Sequence, residues 1–462
     1  MLVISDRFWY IVRSLKRKSE MQEISSKKLT EIVGSSSQVV DCTIKNVTTD
    51  SRLVRSGDLF IAIRGEKFDA HQFVPEVLRQ GAALVLVEHI VDGADPARQV
   101  VVNDTTKAFG LIGAYNRSLF KGTVVGLTGS SGKTTTKEEI KFLLEKFGKV
   151  YATSGNFNNF IGVPRTLCDL DMDADFAVIE MGMSAKGEIA GLVSYVQPDM
   201  AVITNVYPMH IEFFENFEGI AEAKAEIFQG LKKGGYALVN GDTNFAALLQ
   251  KRAEEQGAKV VTFGKADLAD FHFETAQEGE HYTYNALCAL KVVQLLGLDV
   301  KKAQEFVKDF GALDGRGREW KLHFAGGVYT LVDDSYSGQP EAMKLAIETL
   351  GKRKVSGRKV VVLGKMAELG ETSQARHIEI GKALAATDID VAVGVCPEMK
   401  DMLAQLPERM ETHYFENKEG LDEFLLNKLL QNNDIVLIKG ARYSSKLYQV
   451  AESLIKQGDV EA

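Results

Sequence analysis

The chain is short of the residues that would commit it to a disulfide framework, a zinc cluster or a membrane. It carries 4 cysteines among 462 residues. Cys42, Cys168, Cys288 and Cys396 are spread along the whole chain and no pair has metal-ligand spacing. A disulfide-stapled scaffold is therefore excluded, and buried free thiols in a reducing compartment are expected. No apolar run approaches the ~20 residues that cross a bilayer, so no membrane span is expected. Residues 1–20 hold a short apolar stretch broken by Asp6, Arg7 and Arg13, without the long apolar core or small-residue cleavage site of a secretory signal. They read as an N-terminal extension before a domain that opens at MQEISSKKLTEIVG, and the protein is expected in the cytoplasm. Positive charge is not in excess: 55 Lys and Arg against 63 Asp and Glu give −8, which points away from nucleic acid as a partner. Repeats and low-complexity tracts are absent too. What remains, 45% hydrophobic and 26% charged residues, is ordinary for a soluble globular chain, and a monomer is expected.

At roughly 150 residues per domain, the length allows about three domains. From Met21 to Lys121 short strands and helices mix; GDLFIAI and GAALVLVE are strand-like runs, with PEVLRQG between them as a helix closed by glycine. From Gly122 the pattern changes to strand–loop–helix units. TVVGL, DFAVIEMG and DMAVITNV are buried strands, and TKEEIKFLLEKFG is an amphipathic helix. A further series begins near Phe324, with VYTLVDD, RKVVVLG, DIDVAVGV and DIVLIKG as strands. Strands alternating with helices argue for parallel sheets covered on both faces. The expected fold is α/β in three domains: a small α/β domain over 21–121, a central phosphate-loop domain with a parallel sheet over 122–322, and a C-terminal Rossmann-like domain over 323–462.

The chemistry starts at Thr128–Thr135. Gly129, Ser130, Ser131, Gly132, Lys133, Thr134 and Thr135 follow a buried strand and open a helix, the context a phosphate loop requires. Glycines let backbone N–H groups turn toward phosphate oxygens, and the helix N-terminus adds partial positive charge. Lys133 would reach the β- and γ-phosphates and Thr134 would offer a hydroxyl to Mg2+. Leu127 stands where the commonest form of the loop has its first glycine. Glu180 ends one buried strand, and His210 follows another after Tyr207-Pro208-Met209. The C-terminal ends of parallel strands converge on the phosphate-loop edge, so a carboxylate and an imidazole there suit a metal. Each also has a structural reading, a helix cap for Glu180 and, favoured for the residue taken alone, a packed histidine for His210. Lys224, in GIAEAKAEIFQGL, reads as an exposed lysine on a charged helix.

In combination the motifs resemble the Mur ligase family, closest to its D-alanyl-D-alanine-adding type. The resemblance runs from Met21 to the C-terminus through TDSR, GDLFIAIRGEKFDAHQF, TGSSGKTTTKE, GNFNNFIGVPRTL, VIEMGM, TNVYPMHIEFF, AKAEIFQGL, EHYTYNALCAL, GRGRE, DDSYSGQPEAM, ELGETSQARH and KGARYS. It implies a UDP-sugar domain, an ATPase domain and a Rossmann-like domain for the incoming amine, with ATP and Mg2+ as cofactors. A carboxylate on a UDP-muramoyl peptide is phosphorylated by ATP, and the acyl phosphate is attacked by the amine, D-Ala-D-Ala in this type. Carried over by motif, Lys133, Thr134 and Thr135 serve phosphate and Mg2+; Glu180 and His210 hold Mg2+; and Lys224 matches a lysine carbamylated in related ligases. Asn158 and Asn159 lie near the nucleotide and acceptor, and Asn285 near adenine. Arg316 or, preferentially, Arg318 meets phosphate. Asp334 and Tyr336 bring the third domain onto ATP, and Asp50, Ser51 and Arg52 serve the UDP-sugar.

The chain departs from the family pattern mainly in the third domain. Ser337, Gly338 and Gln339 replace N-A-N after Tyr336, Lys365 replaces the aspartate of L-G-D-M, and Leu447 replaces a common glutamate. The stretch between Lys265 and His281 is also shorter than usual. These changes leave the amine open between D-Ala-D-Ala and another amine or a recycled peptide. A non-catalytic binding protein is a reading from another class, against which Lys133, Glu180, His210 and Lys224 argue. A guanine-reading N-K-x-D motif is missing, which argues against a GTPase.

Overall fold

In a computed structural model the described residues are 21–460, apart from 66–67, 209–213, 215, 278 and 368. The N-terminal extension and His210 lie outside them.

Three sheets define three domains. The first contains a four-stranded parallel sheet in the order Asn46–Thr48, Asp58–Ile61, Leu84–Val87, Gln99–Val101. The strands at Asp58–Ile61 and Leu84–Val87 are buried at every position, as continuous apolar runs in a sheet covered on both faces must be. The helix Thr105–Leu119 closes this domain and lies against the helix Gly162–Cys168 of the next. Its last turns fix the junction through side chains. Asn116 donates from Nδ2 to the Leu167 and Cys168 carbonyls at 2.7 and 3.2 Å, and Arg117 donates to those of Val196 and Gln197 at 2.9 and 3.0 Å. Asn116→Leu removes the donor and leaves the Cys168 carbonyl without it, while the Leu167 carbonyl keeps the Leu170 N–H, so it should cost about 1–3 kcal/mol in urea denaturation. A change within error would mean that water satisfies the Cys168 carbonyl.

The central sheet has six parallel strands in the order Lys259–Phe263, Tyr236–Asn240, Met200–Ile203, Thr123–Thr128, Phe176–Glu180, Val150–Ala152. Connections from Thr123–Thr128 run to one side of the sheet while Met200–Ile203 begins the other. The switch point of the sheet, where ligands bind in such folds, therefore falls on the loops after these two strands.

The third sheet has seven strands, in the order Glu411–Phe415, Val391–Val395, Lys359–Gly364, Ile435–Lys439, Gly327–Asp334, Arg318–Phe324, Asp459–Val460. The first five are parallel, and Arg318–Phe324 pairs antiparallel with Gly327–Asp334. The strand Arg318–Phe324 of this sheet begins five residues before position 323. The run REWKLHF alternates between more and less exposed positions, with Leu322 fully buried, so it looks polar by composition; the two-residue turn at Ala325-Gly326 pairs it with Gly327–Asp334, and the short strand Asp459–Val460 lies outside it.

Candidate active site

The phosphate loop is built by close approach. A Cβ on Gly129 would collide with Thr204 Oγ1, and Gly132 sits at φ +74° where it opens the helix Lys133–Leu144. The loop is laced to the neighbouring strand end. Ser131 N donates to Asn205 Oδ1 at 2.8 Å, and Thr204 Oγ1 and Asn205 Nδ2 donate to the Ser131 carbonyl at 2.9 and 3.0 Å. The Ser130 hydroxyl is taken up by Tyr207, donating to its carbonyl and accepting from its N–H. Lys133 Nζ donates to the Gly129 carbonyl at 2.9 Å, so it curls over the loop it belongs to.

Beside the loop lies a polar knot. Glu180, 1% exposed, accepts from Thr134 Oγ1 at 2.9 Å and from Asn158 Nδ2 at 2.8 Å. Arg316 Nη2 donates to the same Thr134 hydroxyl at 3.0 Å. Lys224 is buried at 2% exposed on the helix Phe217–Ala225, which overturns its reading as a surface lysine. Burial, and then the positive charge of Lys133, hold its amine well below the ordinary lysine range. Among the described residues no group of three or more His, Cys, Asp or Glu is gathered for a metal.

Other sequence candidates are placed differently. Asn159 Oδ1 accepts from Ile161 N and Gly162 N at 3.1 and 2.9 Å, capping the helix Gly162–Cys168, while Asn158 holds Glu180. Asn285 Oδ1 accepts from Thr136 Oγ1 at 3.1 Å and lies 3.0 Å from a Cβ built on Gly132. Arg316, rather than Arg318, reaches the phosphate loop. Arg318 pairs with Asp314 at 2.5 Å and stacks on Trp320. Asp334 takes Lys439 Nζ at 2.6 Å, and the Tyr336 ring lies 4.1 Å from the Arg316 guanidinium. Asp50 grips Arg52 with two bonds of 2.7 Å; Thr49, Ile63 and Phe68, rather than Ser51 and Arg52, line the cleft that reaches the loop. That cleft, about 4450 Å³, runs across all three domains, well beyond the several hundred Å³ one small ligand needs.

The departures in the third domain resolve physically. Lys365 pairs with Glu398 at 2.9 Å, and Leu447 is packed into the apolar core. Ser337 and Gln339 line the cleft. Sequence reasoning missed Lys137, which is fully buried and donates to the Thr153 carbonyl at 2.6 Å, anchoring the segment that carries Asn158. Its position one turn beyond Lys133 on the same helix face was the available signal.

A phosphate loop, a buried carboxylate on its hydroxyl, a buried amine and a cleft spanning three α/β domains together define a nucleotide-dependent ligase. Family models agree domain by domain. "Mur ligase middle domain" matches residues 127–288, "Mur ligase, glutamate ligase domain" matches 321–442, and "Mur ligase family, catalytic domain" matches 43–110. The UDP-N-acetylmuramoyl-tripeptide–D-alanyl-D-alanine ligase of Escherichia coli (strain K12) is 32% identical over 473 residues, covering 95% of this chain and 100% of the relative. A crystal structure of MurF from Acinetobacter baumannii superposes with a TM-score of 0.84 at 29% identity, covering 94% of this chain and 99% of that one. MurF ligase from Thermotoga maritima in complex with ADP gives a TM-score of 0.77 at 30% identity, covering 89% and 97%. The chain belongs to the Mur ligase family and is an ATP-dependent ligase of peptidoglycan precursor synthesis.

Proposed function

We propose that this chain joins D-alanyl-D-alanine to a UDP-N-acetylmuramoyl tripeptide, as its relatives' names state for them. The observation that carries the reading is the Thr134 hydroxyl held between Glu180 and Arg316 at the mouth of the phosphate loop. A carboxylate is a poor electrophile at neutral pH. Transfer of the γ-phosphoryl group to it gives an acyl phosphate, the amine attacks the acyl carbon, and the tetrahedral species collapses to the amide, releasing phosphate beside ADP. Lys133 and the N–H groups of the loop hold the β- and γ-phosphates, and Arg316 adds a cation where negative charge gathers. The oxygen donors of Thr134 and Glu180 suit Mg2+. With His210, and with Lys224 as its carbamate, they would hold the ion, which offsets charge on the transferring phosphoryl group. The depressed basicity of Lys224 supports the carbamate, because only a neutral amine attacks CO2.

Residues of the first domain around Thr49, Ile63 and Phe68 would take the UDP-sugar, and the third domain would deliver the amine. ATP and a UDP-linked acceptor place the reaction in the cytoplasm, and no helix among the described residues is long and apolar enough to cross a membrane. We assign a monomer, since one chain supplies all three walls of the cleft. A different amine remains the second reading, favoured by Ser337 and Gln339 in the cleft lining. Lys365, which also motivated it, is neutralised by Glu398. Phosphate release from ATP plus UDP-muramoyl tripeptide, measured across amino acids and dipeptides, decides between them. D-Ala-D-Ala should give the highest turnover; turnover no higher than the no-amine blank would overturn the assignment.

A further inference from the structure

The amine substrates in question carry a carboxylate as well as an amine, and a buried carboxylate requires a cation. Most cations on the third-domain side of the cleft are already engaged. Lys439 pairs with Asp334, Arg318 with Asp314, and Arg353 with Glu319. Lys344, Lys446 and Lys456 also line the cleft, but each is a point charge on a flexible stem, without the planar fork that matches a carboxylate.

Arg442 differs from all of these. It follows the strand Ile435–Lys439, beside the crevice where the loops after this strand and after Lys359–Gly364 diverge. The two loops are tied together there by Ala441 N donating to the Lys365 carbonyl at 3.1 Å. Its guanidinium lies 4.2 Å from the Tyr448 ring centroid and 5.3 Å from that of Tyr336, so two aromatic faces hold it without using its N–H donors. No carboxylate pairs with it among the described residues. The Tyr336 ring is thus shared by two guanidinium groups: Arg316, bonded to the phosphate-loop hydroxyl, and Arg442, which lines the cleft from the third domain.

We infer that Arg442 anchors the free carboxylate of the incoming amine substrate, fixing its amino end toward the acyl phosphate. The inference rests on the ligase reading above and deepens it by making the free C-terminal carboxylate a specificity requirement. Bidentate guanidinium binding is the geometry that the stacked fork offers.

The test compares D-Ala-D-Ala with its C-terminal carboxamide on wild type, Arg442→Ala and Arg442→Lys. Wild type should favour the free acid by roughly 30-fold or more in kcat/KM, the factor expected when a buried charge pair loses one partner. In Arg442→Ala that preference should collapse toward unity, with KM for ATP and for the UDP-muramoyl tripeptide unchanged. Arg442→Lys keeps the charge and loses the fork, so it should retain part of the preference. Three results would overturn the inference: wild type using the carboxamide as well as the acid, Arg442→Ala keeping the acid's advantage, or ATP KM rising while the preference stays intact. If D-Ala-D-Ala is not the substrate, the same acid and amide pair is run with whichever amine gives turnover. A failure of the substrate assignment is then separated from a failure of the anchor.

Discussion

Lys224→Ala should lower turnover roughly a thousandfold, with the chain still folded, a loss of the size seen when a group stabilising transition-state charge is deleted. Lys224→Arg should fare no better, because a guanidinium stays protonated and cannot take up CO2. The wild-type protein should carry the mass of one CO2 on this residue under native conditions, and stripping bicarbonate should lower activity in wild type alone. Full turnover by Lys224→Ala would remove the residue from the site. With bicarbonate stripped, the free amine also leaves a mark on stability. Its folded basicity lies below the unfolded one, chiefly because burial disfavours the charged form. Between the depressed value and the ordinary lysine value of about 10.4, the unfolded chain binds more protons, so stability rises with pH across that window. Lys224→Met removes the titrating group, and its stability should be flatter over the same range by urea denaturation.

The central domain was legible because its signals agree. A buried strand, a glycine-rich loop, a lysine and an amphipathic helix fall in register, and the strand ends carrying Glu180 and Tyr207 follow from a parallel sheet. Lys224 was not legible from its own segment. AEAKAE has the composition of an exposed helix, and only tertiary packing buries the amine. Asn158 and Asn159 are adjacent and chemically identical, and which one meets Glu180 depends on the other capping the helix at Ile161 and Gly162. Arg316 and Arg318 lie two residues apart around Gly317 at φ +81°. The strand beginning at Arg318 sends its first side chain to Asp314, which leaves Arg316 to face the phosphate loop. Lys365 gave a true sign of a changed charge but not its consequence, because its partner Glu398 is distant in sequence and joined to it only by the sheet.

Glu180→Gln should abolish measurable ligation while leaving the fold close to wild type, and raising Mg2+ should not restore it. The carboxylate has two jobs that the amide divides. One oxygen accepts from Asn158 and the other from the Thr134 hydroxyl, and glutamine keeps a single acceptor oxygen for both donors. With that oxygen on Asn158, an NH2 group faces a hydroxyl that already accepts from Arg316, and the negative charge is gone. Hard divalent ions favour anionic oxygen, so the loss falls on metal-dependent phosphoryl transfer before it falls on stability. Asn158→Ala is the contrasting variant. It keeps the charge but frees the carboxylate to swing, and loss of such an orienting partner costs about 10–100-fold in metal affinity or activity. Its activity should therefore return as Mg2+ is raised, whereas that of Glu180→Gln should not. Equal recovery in both variants would mean that Glu180 acts only by holding Thr134 in place and never meets the ion.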